Sequence, residues 1–219
     1  MSDPRILSLA LVAGMAAGPA LVSYAGWIIR VRKPERDGDF QAAARMAASL
    51  LCGLGWLAAA LAGTSAVDTV NLGLIVSAGI VLTLVDASTR IIPNELVAGL
   101  LCLEAAIAVL DKGIAALPGR VVGFCVALTL LLVAMLLAKS MIGGGDVKLA
   151  AAVGFAAGFP NVLMAMLLMA LAAGVTGAVG IRMKRMGRHT PMPYAGFLMG
   201  GLALTLLLDR AGALGFLAW

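Results

Sequence analysis

Charge is the scarcest resource in this chain. Only 12% of its 219 residues are Asp, Glu, Lys or Arg, about half the share of an ordinary soluble domain. With 62% hydrophobic residues and a mean hydropathy of +1.05, this excludes a soluble globular domain. Histidine occurs once, as His189 in a basic stretch, so no Ser-His pair is available for nucleophilic catalysis. The three cysteines, Cys52, Cys102 and Cys125, all lie in apolar runs without a CxxC pair. That argues against a zinc site or a disulfide framework and for packing as small hydrophobes. Neither a metal nor another cofactor is expected. The formal charge of +5 carries no interleaved basic-aromatic pattern, so it reports membrane topology and no nucleic-acid partner is expected.

What remains is a series of apolar runs, each long enough to be a helix in a lipid bilayer. The first, Ile6 to Ile29, is too long for a signal-peptide core, and its basic cluster follows it instead of preceding it. It reads as a retained span. A polar connector, Val31 to Phe40, leads to a second span, Met46 to Ala62. Gly63, Thr64, Ser65, Asp68 and Asn71 mark a turn, and a third span runs from Leu72 to Val85. Pro93 predicts a stop near Thr89 and a new helix from Asn94 to Leu110. A loop around Asp111 and Gly119 leads to a fifth span, Val121 to Ala138.

From Leu149 to Ile181 no residue is charged, which at helical rise is about 50 Å and too long for one crossing. Gly158-Phe159-Pro160-Asn161 breaks it into a short helix of about a dozen residues and a full span, Val162 to Ile181. The last span is Tyr194 to Leu208, after Pro191 and Pro193. The expected fold is therefore all-α. It is a polytopic membrane bundle of about eight hydrophobic helices in a single integral membrane domain, with N-terminal helices over 1–70 and a core over 71–210. The bilayer itself is its first partner.

Placing the N-terminus outside puts 12 of the 16 Lys and Arg residues on the inner side, as the positive-inside rule requires. The inner set is Arg30, Arg32, Lys33, Arg36, Arg45, Arg90, Lys139, Lys148, Arg182, Lys184, Arg185 and Arg188. The same threading sets two carboxylates at one depth: Asp86 at the inner end of the third span, Asp146 at the inner end of the short helix. An ionisable group inside or at the edge of a lipid-facing segment is costly enough to point to function. Two of them on neighbouring helices can share a proton, one acting as base on water while its protonated neighbour polarises a peptide carbonyl. Gly143, Gly144 and Gly145 precede Asp146 and leave room for another chain. The plainer alternative is a glycine-rich turn with an aspartate capping the helix.

These residues resemble the type IV prepilin peptidases, membrane aspartic proteases of the GxGD group. Gly143-Gly144-Gly145-Asp146-Val147-Lys148-Leu149 is similar to the family's second-aspartate motif, Gly-x-Gly-Asp followed by Lys-Leu. Asp86 followed by Pro93-Asn94, seven and eight positions on, is similar to the first. Pro193-Tyr194-Ala195-Gly196-Phe197-Leu198 resembles the proline-led start of the last helix. The resemblance covers about Ile75 to Leu208, with its parts in family order. It implies Asp86 and Asp146 as the catalytic pair, and Gly143, Gly144, Gly145, Lys148, Pro93 and Asn94 as substrate-binding or structural support. The implied partner is a prepilin or pseudopilin, and the implied location is the bacterial inner membrane with the site open to the cytoplasm. Bifunctional members carry two zinc-binding CxxC pairs in the first connector. Here Val31 to Phe40 has no cysteine, and Gly18-Pro19-Ala20-Leu21 followed by Arg30 only faintly echoes the methylation motif. The chain resembles the compact, peptidase-only members, such as those processing tight-adherence pilins.

Four further residues carry expectations. Lys148 faces away from Asp146 and should snorkel to headgroups. Arg90 could pair with Asp86 only if the helix continued past Pro93. Asn94 either orients the site or caps the fourth span, the cap being the expectation. Glu104 lies mid-span, where a carboxyl should face the bundle interior in its protonated form. It also supports a rival class, a proton- or ion-coupled carrier using Asp86, Asp146 and Glu104, although no inverted repeat with matched broken helices is visible. A scaffold subunit would need no aligned aspartates.

Overall fold

The computed structural model describes residues 3–36, 38–137, 143–183 and 192–214. Among these there are eight α-helices and no strand: α1 Pro4–Arg32, α2 Ala42–Ala62, α3 Ala66–Thr89, α4 Asn94–Lys112, α5 Leu117–Leu137, α6 Gly144–Ala157, α7 Asn161–Arg182 and α8 Ala195–Arg210. A single 3-10 turn, Ile114–Ala116, precedes α5. Five helices, α1, α2, α3, α5 with its leading turn, and α7, are long and apolar enough to cross a bilayer. The chain is a multi-pass helical membrane protein. The basic loop residues Lys184, Arg185, Arg188 and His189, and Lys139 before the glycine run, lie outside the described residues.

The described residues divide into two compact units, one over 3–91 with 206–214 and the other over 92–205. In the first, α1 and α2 meet through small residues. A Cβ on Gly18 would stand 2.4 Å from the Ser49 Cα, and one on Gly14 would stand 2.9 Å from the Gly53 Cα. Without water to drive helices together, such backbone proximity supplies the van der Waals contact that holds them. Trp56 lies flat against Gly73 of α3 and donates its indole N–H to Ser77 Oγ at 3.2 Å. The connector after α1 lies back on that helix. Gly38 is buried, and a Cβ there would be 2.3 Å from the Gly26 carbonyl oxygen.

The expected boundary displaced furthest is the start of α3. Helix α3 begins at Ala66, not at Leu72, because the polar residues taken for a turn are its first turns. Ser65 Oγ accepts the Asp68 N–H at 3.1 Å as a helix cap. Asp68, in the same first turn, pairs with Arg210 of α8 at 2.9 Å. A distant guanidinium has made a charged first turn affordable.

In the second unit α6 is the centre. Its Val147, Leu149, Ala150, Ala151, Ala152, Val153, Gly154 and Ala156 are all buried, which is a helix enclosed by protein on every side and not one facing lipid. Its 14 residues span about 21 Å, short of the ~30 Å hydrocarbon layer. Gly158 ends it at φ 70°, a left-handed conformation that glycine adopts without strain.

Candidate active site

Asp86 stands in the last turn of α3 and is only 4% exposed. The helix ends three residues later: in a continuing helix Pro93 could not donate to the Thr89 carbonyl and its ring would clash with it, and Ile92 before it is biased to extended backbone. Arg90 takes the left-handed conformation at φ 54° and returns its N–H to the Asp86 carbonyl at 2.7 Å. The i,i+4 geometry that would have carried Arg90 alongside Asp86 therefore stops at this residue. Thr89 secures the exit, its hydroxyl bonded to the Val85 carbonyl at 2.8 Å and accepting the Ile91 N–H at 3.2 Å. Two carbonyls of this last turn receive donors from the α1–α2 connector: Lys33 Nζ donates to Thr89 O at 3.1 Å, and the Arg36 guanidinium donates to Ser88 O. These cations satisfy acceptors that a helix C-terminus leaves over.

Asp146 is the third residue of α6. Its Oδ2 accepts the Gly143 N–H at 2.9 Å, so the capping alternative weighed from the sequence is present in the geometry. A carboxylate in the first turn is also stabilised by the positive end of the helix dipole, by about 0.3–1 kcal/mol. Capping and chemistry are compatible here, since a carboxylate has lone pairs beyond the one this N–H uses. The three glycines divide their work. Gly145 packs, with a Cβ there only 3.3 Å from Ile92 Cβ; Gly144 faces open space, with nothing within 4 Å.

The second unit brings the end of the first motif onto the second. Lys148 Nζ lies 3.2 Å from Asn94 Oδ1, and Ile92, next to Pro93, meets Gly145. Two expectations are corrected by this. Asn94 is not the cap of α4, because Pro93 holds the N-cap position and no side chain bonds there. Lys148, although exposed, has a protein acceptor in Asn94 as an alternative to headgroups. Asp86 belongs to the first unit and Asp146 to the second.

Glu104 is fully buried, as expected of a mid-span carboxyl, but the interior supplies a cation beside it. Arg120 at the start of α5 stands 3.0 Å from its Oε2. Sequence reasoning counted Arg120, Lys33 and Arg36 only as topology markers. Their acceptors lie 35 to 56 residues away for the carbonyls and 16 for Glu104, beyond the reach of any local pattern. Among the described residues, no three His, Cys, Asp or Glu side chains gather as metal ligands.

The chain thus carries one aspartate in the last turn of α3 and another in the first turn of the short, enclosed α6. Residues 73–178 match the profile of the type IV leader peptidase family, and the matched segment carries both aspartate motifs. The chain is also 30% identical over 131 residues to a Bacillus subtilis strain 168 protein described as a prepilin leader peptidase/N-methyltransferase. That alignment takes in 58% of this chain and 51% of the relative, so the chain spans about half the length of the curated relative it matches. No solved structure matches it.

Proposed function

We propose that the chain is a membrane aspartic endopeptidase that removes the cytoplasmic leader from type IV prepilin-like substrates, with Asp86 and Asp146 as its catalytic pair. The observation that carries this reading is the junction of Pro93-Asn94 with Gly143 to Lys148, inside a segment that matches the leader peptidase family. One carboxylate takes a proton from water as the water oxygen bonds to the scissile carbonyl carbon. The other, protonated, gives its proton to the carbonyl oxygen. Collapse of the tetrahedral intermediate breaks the C–N bond, and a proton passes to the leaving amine, which becomes the N-terminus of the mature pilin. The two titrations belong to the pair and not to either residue.

The open face of Gly144 suits an extended substrate backbone with a small residue, a glycine, just before the cut. Purified protein reconstituted with a candidate prepilin should therefore cut immediately after the leader glycine, at an unchanged rate with a chelator present. Mass spectrometry of the new N-terminus reads the position. Loss of activity to chelation with recovery on adding zinc, or a cut deep within the apolar helix, would overturn the reading.

The site is proposed to open to the cytoplasm, because the charge bias puts the α1–α2 connector there. A cysteine at Glu35, with Cys52, Cys102 and Cys125 removed, should be shielded from an impermeant thiol reagent in intact cells. One at Asp111 should label. The reverse pattern would invert the topology and the placement of the site with it.

A further inference from the structure

Arg120 and Glu104 have no place in the hydrolysis just described, yet they form the most buried ion pair among the described residues. Glu104 is 0% exposed and the Arg120 side chain 19%. Arg120 Nη1 also lies 3.2 Å from the Ala156 carbonyl oxygen and 3.5 Å from that of Phe155, with its guanidinium 6.0 Å from the Phe155 ring centre. Both carbonyls belong to the last turn of α6, and each lacks its helical donor for a separate reason. The donor for Phe155 would be the Phe159 N–H, which goes instead to Gly119 O at 2.9 Å. The donor for Ala156 would be residue 160, a proline with no N–H.

An enclosed helix end with orphaned acceptors requires a donor inside the protein. Arg120 is that donor, and Glu104 supplies its counter-charge from α4. Ten residues earlier on α4, Asn94 meets Lys148 near the other end of α6. Helix α4 thus grips α6 at both ends, directly by Asn94 and through Arg120 by Glu104.

We propose that Glu104 and Arg120 are positioning residues that fix the far end of α6, and so the register in which its first turn presents Asp146. The proposal rests on Asp146 being catalytic. A misplacement of about 1 Å by a remote change can cost about 10²-fold in rate. Glu104→Gln should lower kcat about 10-fold and Arg120→Gln about 10²-fold, each leaving KM for prepilin within about 2-fold. Arg120→Lys, which can still donate to the carbonyls and pair with Glu104, should recover most of the loss.

The deciding variant is the exchange Glu104→Arg with Arg120→Glu. It restores opposite charges but sets a carboxylate against the two carbonyls, so it should stay as slow as Arg120→Gln. In Arg120→Gln, amide hydrogen exchange should also quicken at residues 144–148, about 15 Å along the helix from Ala156. Recovery of kcat in the exchanged pair, or parental kcat in the folded fraction of Glu104→Gln and Arg120→Gln with unchanged exchange at 144–148, would overturn the proposal. Asp146→Asn in the same assay separates the two levels. If it cleaves at the parental rate, the catalytic assignment falls; if it is inactive while the Glu104 and Arg120 variants are parental, only the positioning role falls.

Discussion

Asp86→Asn and Asp146→Asn are each expected to lower prepilin cleavage about 10³-fold or more, the upper part of the range for losing a general acid or base. The amide is nearly isosteric with the carboxyl group but can neither take a proton from water nor share one with a partner. It is also the cleaner substitution structurally. At position 146 the side-chain oxygen can still accept the Gly143 N–H, a bond of 2.9 Å in the parent, whereas alanine would remove it and cost about 1 kcal/mol of helix stability. Prepilin binding and the unfolding midpoint should therefore stay close to parental while turnover is lost. Because the two groups act as one unit, the double variant should be no slower than either single one. Cleavage at the parental rate in either single variant would refute the pair. A carrier would instead show a transport defect and no effect on any peptide.

The second large effect concerns the seat of α6. A Cβ on Gly154 would stand 2.3 Å from the Gly123 carbonyl oxygen and 2.6 Å from Ala127 Cβ; one on Gly123 would stand 2.3 Å from the Gly154 oxygen and 2.9 Å from Gly158 Cα. The obstructing atoms are mostly backbone, so no rotamer change relieves them and α5 and α6 must part. Overpacking of a dense core costs about 1–3 kcal/mol even when side chains can give. Gly154→Ala should lose at least about 2–3 kcal/mol by that measure, and Gly154→Leu should yield no folded protein in detergent. Gly99→Ala and Gly200→Ala, where nothing lies within 4 Å, should stay within about 0.5 kcal/mol of the parent. Thermal unfolding in one detergent compares all four. A parental midpoint for Gly154→Leu would contradict the packing of α5 on α6.

The helical spans were legible in the sequence because the bilayer imposes a rule that acts locally. Backbone polar groups must be satisfied within the segment, so each apolar run becomes a helix, and only proline and glycine end it. The stop at Thr89, the new start at Asn94 and the break at Gly158 followed from that. The start of α3 did not, because Asp68 looks like a turn residue until Arg210, 142 positions away, is beside it. The two aspartate motifs were readable as strings, since spacing along one chain is itself sequence information.

Which groups serve those motifs could be decided only in three dimensions. Lys148 stands two positions from Asp146, and its acceptor Asn94 is 54 positions distant. Lys33 and Arg36 counted as positive-inside markers, and the fold gave them the last carbonyls of the helix that bears Asp86. Glu104 alone suggested a buried acid in search of a proton, and the fold gave it Arg120 instead. Hydropathy and helix breakers act over one turn or one span, so the residues themselves determined where helices run. Charge satisfaction inside a protein acts over a few ångströms regardless of chain separation, so only packing determined which charges meet.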